Sequence, residues 1–199
     1  MAAILSNLRM TVHISLALAV IFYVAYVLAG GAALNYEAIA RWTHVVSGIM
    51  WIGLLWYFNF VQIPNMPNIP DDQKPAIGKV IAPAALFWFR WGAAATVVTG
   101  LAVAGFRGYT IEVLSFGLLA ENYAPQYSFI GLGMWMALIM AFNVWFIIWP
   151  NQKIALGLVE AEADAKPAAA RTAMLFSRTN TLLSFPMLVT MAMAQTLFG

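Results

Sequence analysis

The stretch from Arg41 to Gln62, RWTHVVSGIMWIGLLWYFNFVQ, limits what the rest of the chain can be. A hydrocarbon core of about 30 Å needs roughly 20 residues of helix, and this run is long and apolar enough to cross it. It also holds polar groups that a purely structural span does not need. At steps of three or four, His44, Gly48, Trp51, Leu55, Asn59 and Gln62 fall on one helical stripe. Val45, Ile49, Ile52 and Tyr57 lie opposite. One face can meet lipid. The other carries an imidazole and two amides, and must meet protein, a cofactor or water.

The same balance holds along the whole chain. Of 199 residues, 63% are hydrophobic and 9% charged, against about 25% charged in soluble domains. The apolar runs are long and do not alternate, so the expected fold is all-α, an integral membrane bundle. Five transmembrane helices are predicted, at about 8–28, 39–63, 85–106, 126–149 and 181–198. Between the second and third, PNMPNIPDDQKP reads as a proline-rich turn that no helix crosses, followed by an interfacial piece at 75–84. Residues 107–125 read as a short interfacial helix, and 151–178 as a solvated hairpin or connector broken at Pro167. The expectation is a single membrane domain over 1–199 with no internal repeat. There is no cysteine, which excludes disulfides, thiolate metal sites, iron–sulfur clusters and c-type haem attachment. A net charge of +2 gives no reason to expect a nucleic-acid partner. The N-terminal MAAILSNLRM has no basic region ahead of a short apolar core, so it does not read as a cleavable signal.

Basic residues predict the orientation. Arg9, Lys74, Lys79, Arg90, Lys153, Lys166, Arg171 and Arg178 fall on one side, and Arg41 and Arg107 on the other. The positive-inside rule then puts the N-terminus in the cytoplasm and the C-terminus in the periplasm. Trp42, Trp88, Trp91 and Trp149 fit an aromatic belt. In this orientation His44 lies about 7 Å below the outer end of its span, with His13 as far in from the inner end of the first. The two imidazoles are then roughly 15 Å apart along the membrane normal, too far to ligate one haem from both faces.

Two polar loci follow. Asn59, Gln62, Arg90, Asn143, Arg178 and Asn180 collect at the inner ends of four spans. Buried polar groups cost several kcal/mol each in lipid unless paired, so these should converge. With no acid in any span, the result is a cationic pocket facing the cytoplasm and suited to a small anion. The alternative is that these groups bond one another and lipid phosphates. The outer half holds His44 with Met134, Met136 and Met140 on the fourth span and Met187, Met191 and Met193 on the fifth. Imidazole plus thioether is a ligand set for low-spin haem or for Cu(I). Gly48 lets a flat group approach the helix beside His44, and Trp51 lies on the same stripe. The alternative is that the methionines fill gaps and His44 bonds a neighbouring helix. A third reading has no cofactor at all: a small membrane assembly subunit or homo-oligomer, whose aromatic faces bind partner helices or lipid.

Four strings, RWTHVVSGIMWIGLLWYFNFVQIP, APAALFWFRWGAAATVVTG, FNVWFIIWPNQK and SRTNTLLSFPM, resemble the membrane part of the urate oxidase N-terminal domain family, the membrane-bound urate hydroxylase type. The pattern from His44 through Trp51 to Gly53 also resembles a wider group of small membrane proteins whose histidine is taken to hold haem. The resemblance implies b-type haem on His44, as metal ligand, with Gly48, Trp51 and His13 as cofactor-side residues. It implies urate or another purine-like anion in the cytoplasm-facing pocket, and a bacterial inner-membrane location. Longer members of the family have eight spans and a C-terminal cytochrome c. This sequence contains no C-x-x-C-H, and it has Gln195 near where a histidine is expected in the last span. Electrons would therefore leave to a separate cytochrome c or a larger membrane complex.

Overall fold

The computed structural model describes residues 2–30, 33–162 and 164–198, and among them every regular element is helical. The chain divides into two compact units, residues 1–36 and residues 37–199. The first carries a short turn, α1 (Ala2–Leu5), and α2 (Leu8–Gly30). Asn7 caps α2 by accepting from the Met10 amide through Oδ1 at 3.2 Å, which satisfies a donor that the first helical turn leaves open. No residue of α2 is buried.

The second unit is built of α3 (Tyr36–Asn68), whose first residue belongs to the first unit, α4 (Lys74–Phe106), α5 (Thr110–Leu114), α6 (Pro125–Ala155) and α7 (Ala165–Phe198). With α2, the four longer helices make five that are long and apolar enough to span a membrane. All five run past the sequence-predicted limits, the first only as far as Gly30, and proline explains how the later ones do. The turn after α3 is confined to residues 69–73, and the helix continues through Pro64 and Pro67. The interfacial piece at 75–84 is part of α4, and Pro150 does not stop α6. A proline offers no N–H, so the carbonyl four residues earlier has no donor in an α register. For Pro64, Pro83 and Pro150 those carbonyls belong to Phe60, Lys79 and Phe146. Each falls in a π-helical stretch: Tyr57–Gln62, Ile77–Ile81 and Asn143–Ile148. In the wider π turn the donor comes from one residue later, beyond the proline, and the helix survives. Pro167 sits in the first turn of α7, where its missing N–H costs nothing, so the expected break there is absent.

Trp51, Leu55 and Phe58 of α3, Leu86 and Phe89 of α4, Met140 and Val144 of α6, and Met187 of α7 form the core. Small residues permit the close approaches. A Cβ on Gly92 would lie 3.3 Å from the Trp51 amide nitrogen, and one on Gly133 would overlap the Thr190 hydroxyl.

An internal repeat is present, contrary to the sequence expectation. Residues 50–59 (MWIGLLWYFN) and 134–143 (MWMALIMAFN) share Met-Trp, Leu and Phe-Asn at the same steps, and each leads into a Pro-Asn pair. The structural roles match as well. Asn59 and Asn143 are both buried, both lie in π turns, and both bond α7. Asn65 and Asn151, just after the prolines, each donate to the carbonyl four residues back, Val61 at 2.7 Å and Ile147 at 2.8 Å. Two extra residues before Pro150 hide the match from a search by fixed spacing.

Candidate functional site

At the π-helical end, the amides lock α7 to its neighbours. Asn59 donates through Nδ2 to Leu55 O at 2.9 Å and to Ser177 Oγ at 2.8 Å. Asn143 donates to Asn180 Oδ1 at 2.9 Å, and Asn180 in turn donates to Met140 O at 2.9 Å. Arg90 stacks its guanidinium on Trp149, 3.3 Å from the ring centroid. Four buried atoms at this end have no hydrogen-bond partner: Asn59 Oδ1, Gln62 Oε1, Gln152 Oε1 and Arg90 Nη1. Arg178 is exposed. The structure thus ties Asn59, Asn143 and Asn180 to α7 contacts, leaves Gln62 and Arg90 with unspent polar atoms, and turns Arg178 outward.

The cavity lies at the other end of the same helices. Its volume is about 1070 Å³, and none of the six residues just placed lines it. His44, Gly48 and Trp51 do, together with Met134, Met187 and Met191. Of the remaining three methionines, Met136 packs against the core, Met140 is in it and Met193 is exposed. His13 belongs to the first unit and is exposed.

The imidazole of His44 is held in one attitude. Nδ1 lies 2.8 Å from the Thr96 carbonyl oxygen and 3.4 Å from Thr99 Oγ1. A carbonyl can only accept, so Nδ1 carries the proton and Nε2 presents its lone pair. Nε2 has no hydrogen-bond partner among the described residues. Gly100 sets the ring position: a Cβ there would lie 2.9 Å from Cε1. A histidine whose second nitrogen donates to a carbonyl is the usual outer-sphere arrangement of a metal-ligating imidazole. Trp51 adds a buried Nε1–H without a partner in the same lining. This donor set fits b-type haem: one oriented imidazole, thioethers in reach of the same space, and mostly apolar walls. Among the described residues no three His, Asp or Glu side chains gather to hold a bare metal ion.

The lining also includes a charged group that the sequence reading treated only as an orientation signal. Arg41 and Arg107 both line the cavity, and both bond one oxygen, Glu37 Oε1. Arg107 reaches it through Nε at 2.8 Å, and Arg41 through Nη2. The hydrogen bond to Glu37 raises the Arg107 pKa, so this cation persists at any working pH.

Thr96 and Gly100 were missed in the sequence, as was Gly92. Their signal is the small-residue stripe Gly92, Thr96, Gly100 at steps of four, which marks a face of close helix approach.

Residues 103–196, just under half of the chain, match the family model described as urate oxidase N-terminal. The match bears out the resemblance and covers α5, α6 and nearly all of α7, with Asn143, Arg178, Asn180 and the three cavity methionines. His44, Asn59 and Arg90 lie before it. No curated protein and no solved structure matches the chain.

Proposed function

Starting from the urate oxidase N-terminal match over residues 103–196, we propose that the chain is a multi-pass membrane redox protein that binds b-type haem through His44. One observation carries this reading: Nδ1 of His44 is committed to the Thr96 carbonyl, which leaves Nε2 as a free ligand atom in a residue lining a large apolar cavity. Haem, when bound, would supply one-electron chemistry. The chain's own part is to fix the imidazole tautomer through Thr96, to set the ring position with Gly100, and to exclude water with Ile52, Val97 and Leu138. Met134, Met187 and Met191 line the same cavity and would be the candidates for a thioether ligand.

The substrate class suggested by the family description is urate or a similar small anion. Its supporting locus is the Arg90 end, where a guanidinium nitrogen and three amide oxygens are buried and unspent. That mixed donor and acceptor set suits a planar purine better than a simple anion. Electrons would pass to an acceptor on another chain.

The test is an absorbance spectrum of the purified protein, oxidised and then reduced. A Soret band that shifts on reduction and is lost in His44→Ala is expected. A colourless protein that also fails to take up added haem overturns the reading. The thioethers beside His44 give a copper-handling role specific support, and metal analysis of the same sample separates the two.

A further inference from the structure

Glu37, Arg41 and Arg107 form a cluster that the haem-ligand reading does not use. Two guanidiniums converge on a single carboxylate oxygen, so the cluster keeps a net charge of +1. All three side chains are partly screened from solvent, with relative exposures of 29% for Glu37, 31% for Arg41 and 37% for Arg107. Both arginines line the cavity, and the rest of its lining is largely aliphatic, aromatic or thioether. Gln126 and Tyr127 add neutral donors to the same lining. Each guanidinium has five N–H donors, and Glu37 engages few of them. Arg107 also interacts with Tyr109, and the donors that remain suit a carboxylate attached to a body that the apolar walls accept.

We propose that Arg41 and Arg107, bridged by Glu37, form a carboxylate clamp on the cavity, which selects occupants that carry a carboxylate on an apolar body. Under the haem reading, on which the occupant's identity rests, the carboxylates would be the haem propionates. The clamp itself depends only on the cavity and the cluster. Arg41 stands one turn before His44 on α3, so a single occupant can meet Nε2 and the clamp together.

The experiment compares acid with ester in the detergent-solubilised protein. Protohaem is titrated against its dimethyl ester, and a fluorescent polyene fatty acid against its methyl ester. Wild type should bind the acid of at least one pair about tenfold tighter than the ester, the usual worth of one charge-assisted hydrogen bond. Arg107→Gln should erase that preference. Glu37→Gln should widen it, because removing the internal carboxylate frees both cations. Misfolding cannot produce opposite signs in the two variants, so the pair of results separates a clamp from general damage. Equal binding of acid and ester in both pairs overturns the clamp. An acid preference confined to the fatty acid, with no haem uptake, keeps the clamp and overturns the haem reading.

Discussion

The residue that decides most at the smallest scale is Gly100, and its effect is steric. Adding one methyl there places a carbon 2.9 Å from His44 Cε1, so the imidazole, whose Nδ1 lies 2.8 Å from the Thr96 carbonyl, or the backbone beside it has to shift. Gly105→Ala is the matched control on the same helix, since a Cβ there meets nothing within 4 Å and Gly105 does not line the cavity. We expect Gly100→Ala to lose most of the Soret absorbance while helix content by circular dichroism stays unchanged, and Gly105→Ala to keep it. Equal spectra from both variants would show that the ring is not held by α4. His44 was visible in the sequence because an imidazole inside an apolar span has to be accounted for. Gly100 and Thr96 were not, because glycine and threonine are common in such spans and gain meaning only from what faces them. The cationic amide locus was legible as a set of polar residues at one depth. How they pair was not legible, because rotation about each helix axis decides whether a side chain turns inward, as Asn180 does, or outward, as Arg178 does.

At the scale of elements, the prolines misled the sequence reading in a uniform way. Pro64 and Pro150 were taken as the ends of spans and Pro83 as part of a separate interfacial piece, and each of these three follows a π turn that hands its carbonyl to a later donor. A composition-based reading has no access to that register change, since it depends on a wider turn being packed against neighbours. The turn's stability comes partly from the buried amides within it. Asn143 and Asn180 form one such cross-helix pair, and replacing either by Ala strands a polar group of the other. A double-mutant cycle on these two positions should give a coupling of about 1 kcal/mol, the range seen for hydrogen bonds between helices in lipid. Additive single-variant effects would mean that the pair contributes nothing specific.

For the whole molecule, the spans were readable from length and apolarity alone, and the division into two units was not. All residues that line the cavity lie in the second unit. We therefore expect a chain that starts at residue 37 to keep the haem spectrum of the full protein when purified in detergent. Loss of the band on removing residues 1–36, with the remaining helices intact, would place a contribution to the site outside the second unit. The repeat also belongs to this scale. It relates the Met50–Asn59 half of α3 to the Met134–Asn143 half of α6, yet only the first is preceded by a histidine at the matching step, with Ser128 where His44 would recur. Under the proposed function, only the first of the two similar stretches carries the ligand residue.

The stripe of Gly92, Thr96 and Gly100 has a consequence for how such a protein can change over time. At Gly100 any substitution adds atoms on the side facing the imidazole, where a Cβ would lie 2.9 Å from Cε1. Under the proposed function, relatives that have lost the His44 site should keep the bundle and carry a bulkier residue at this position.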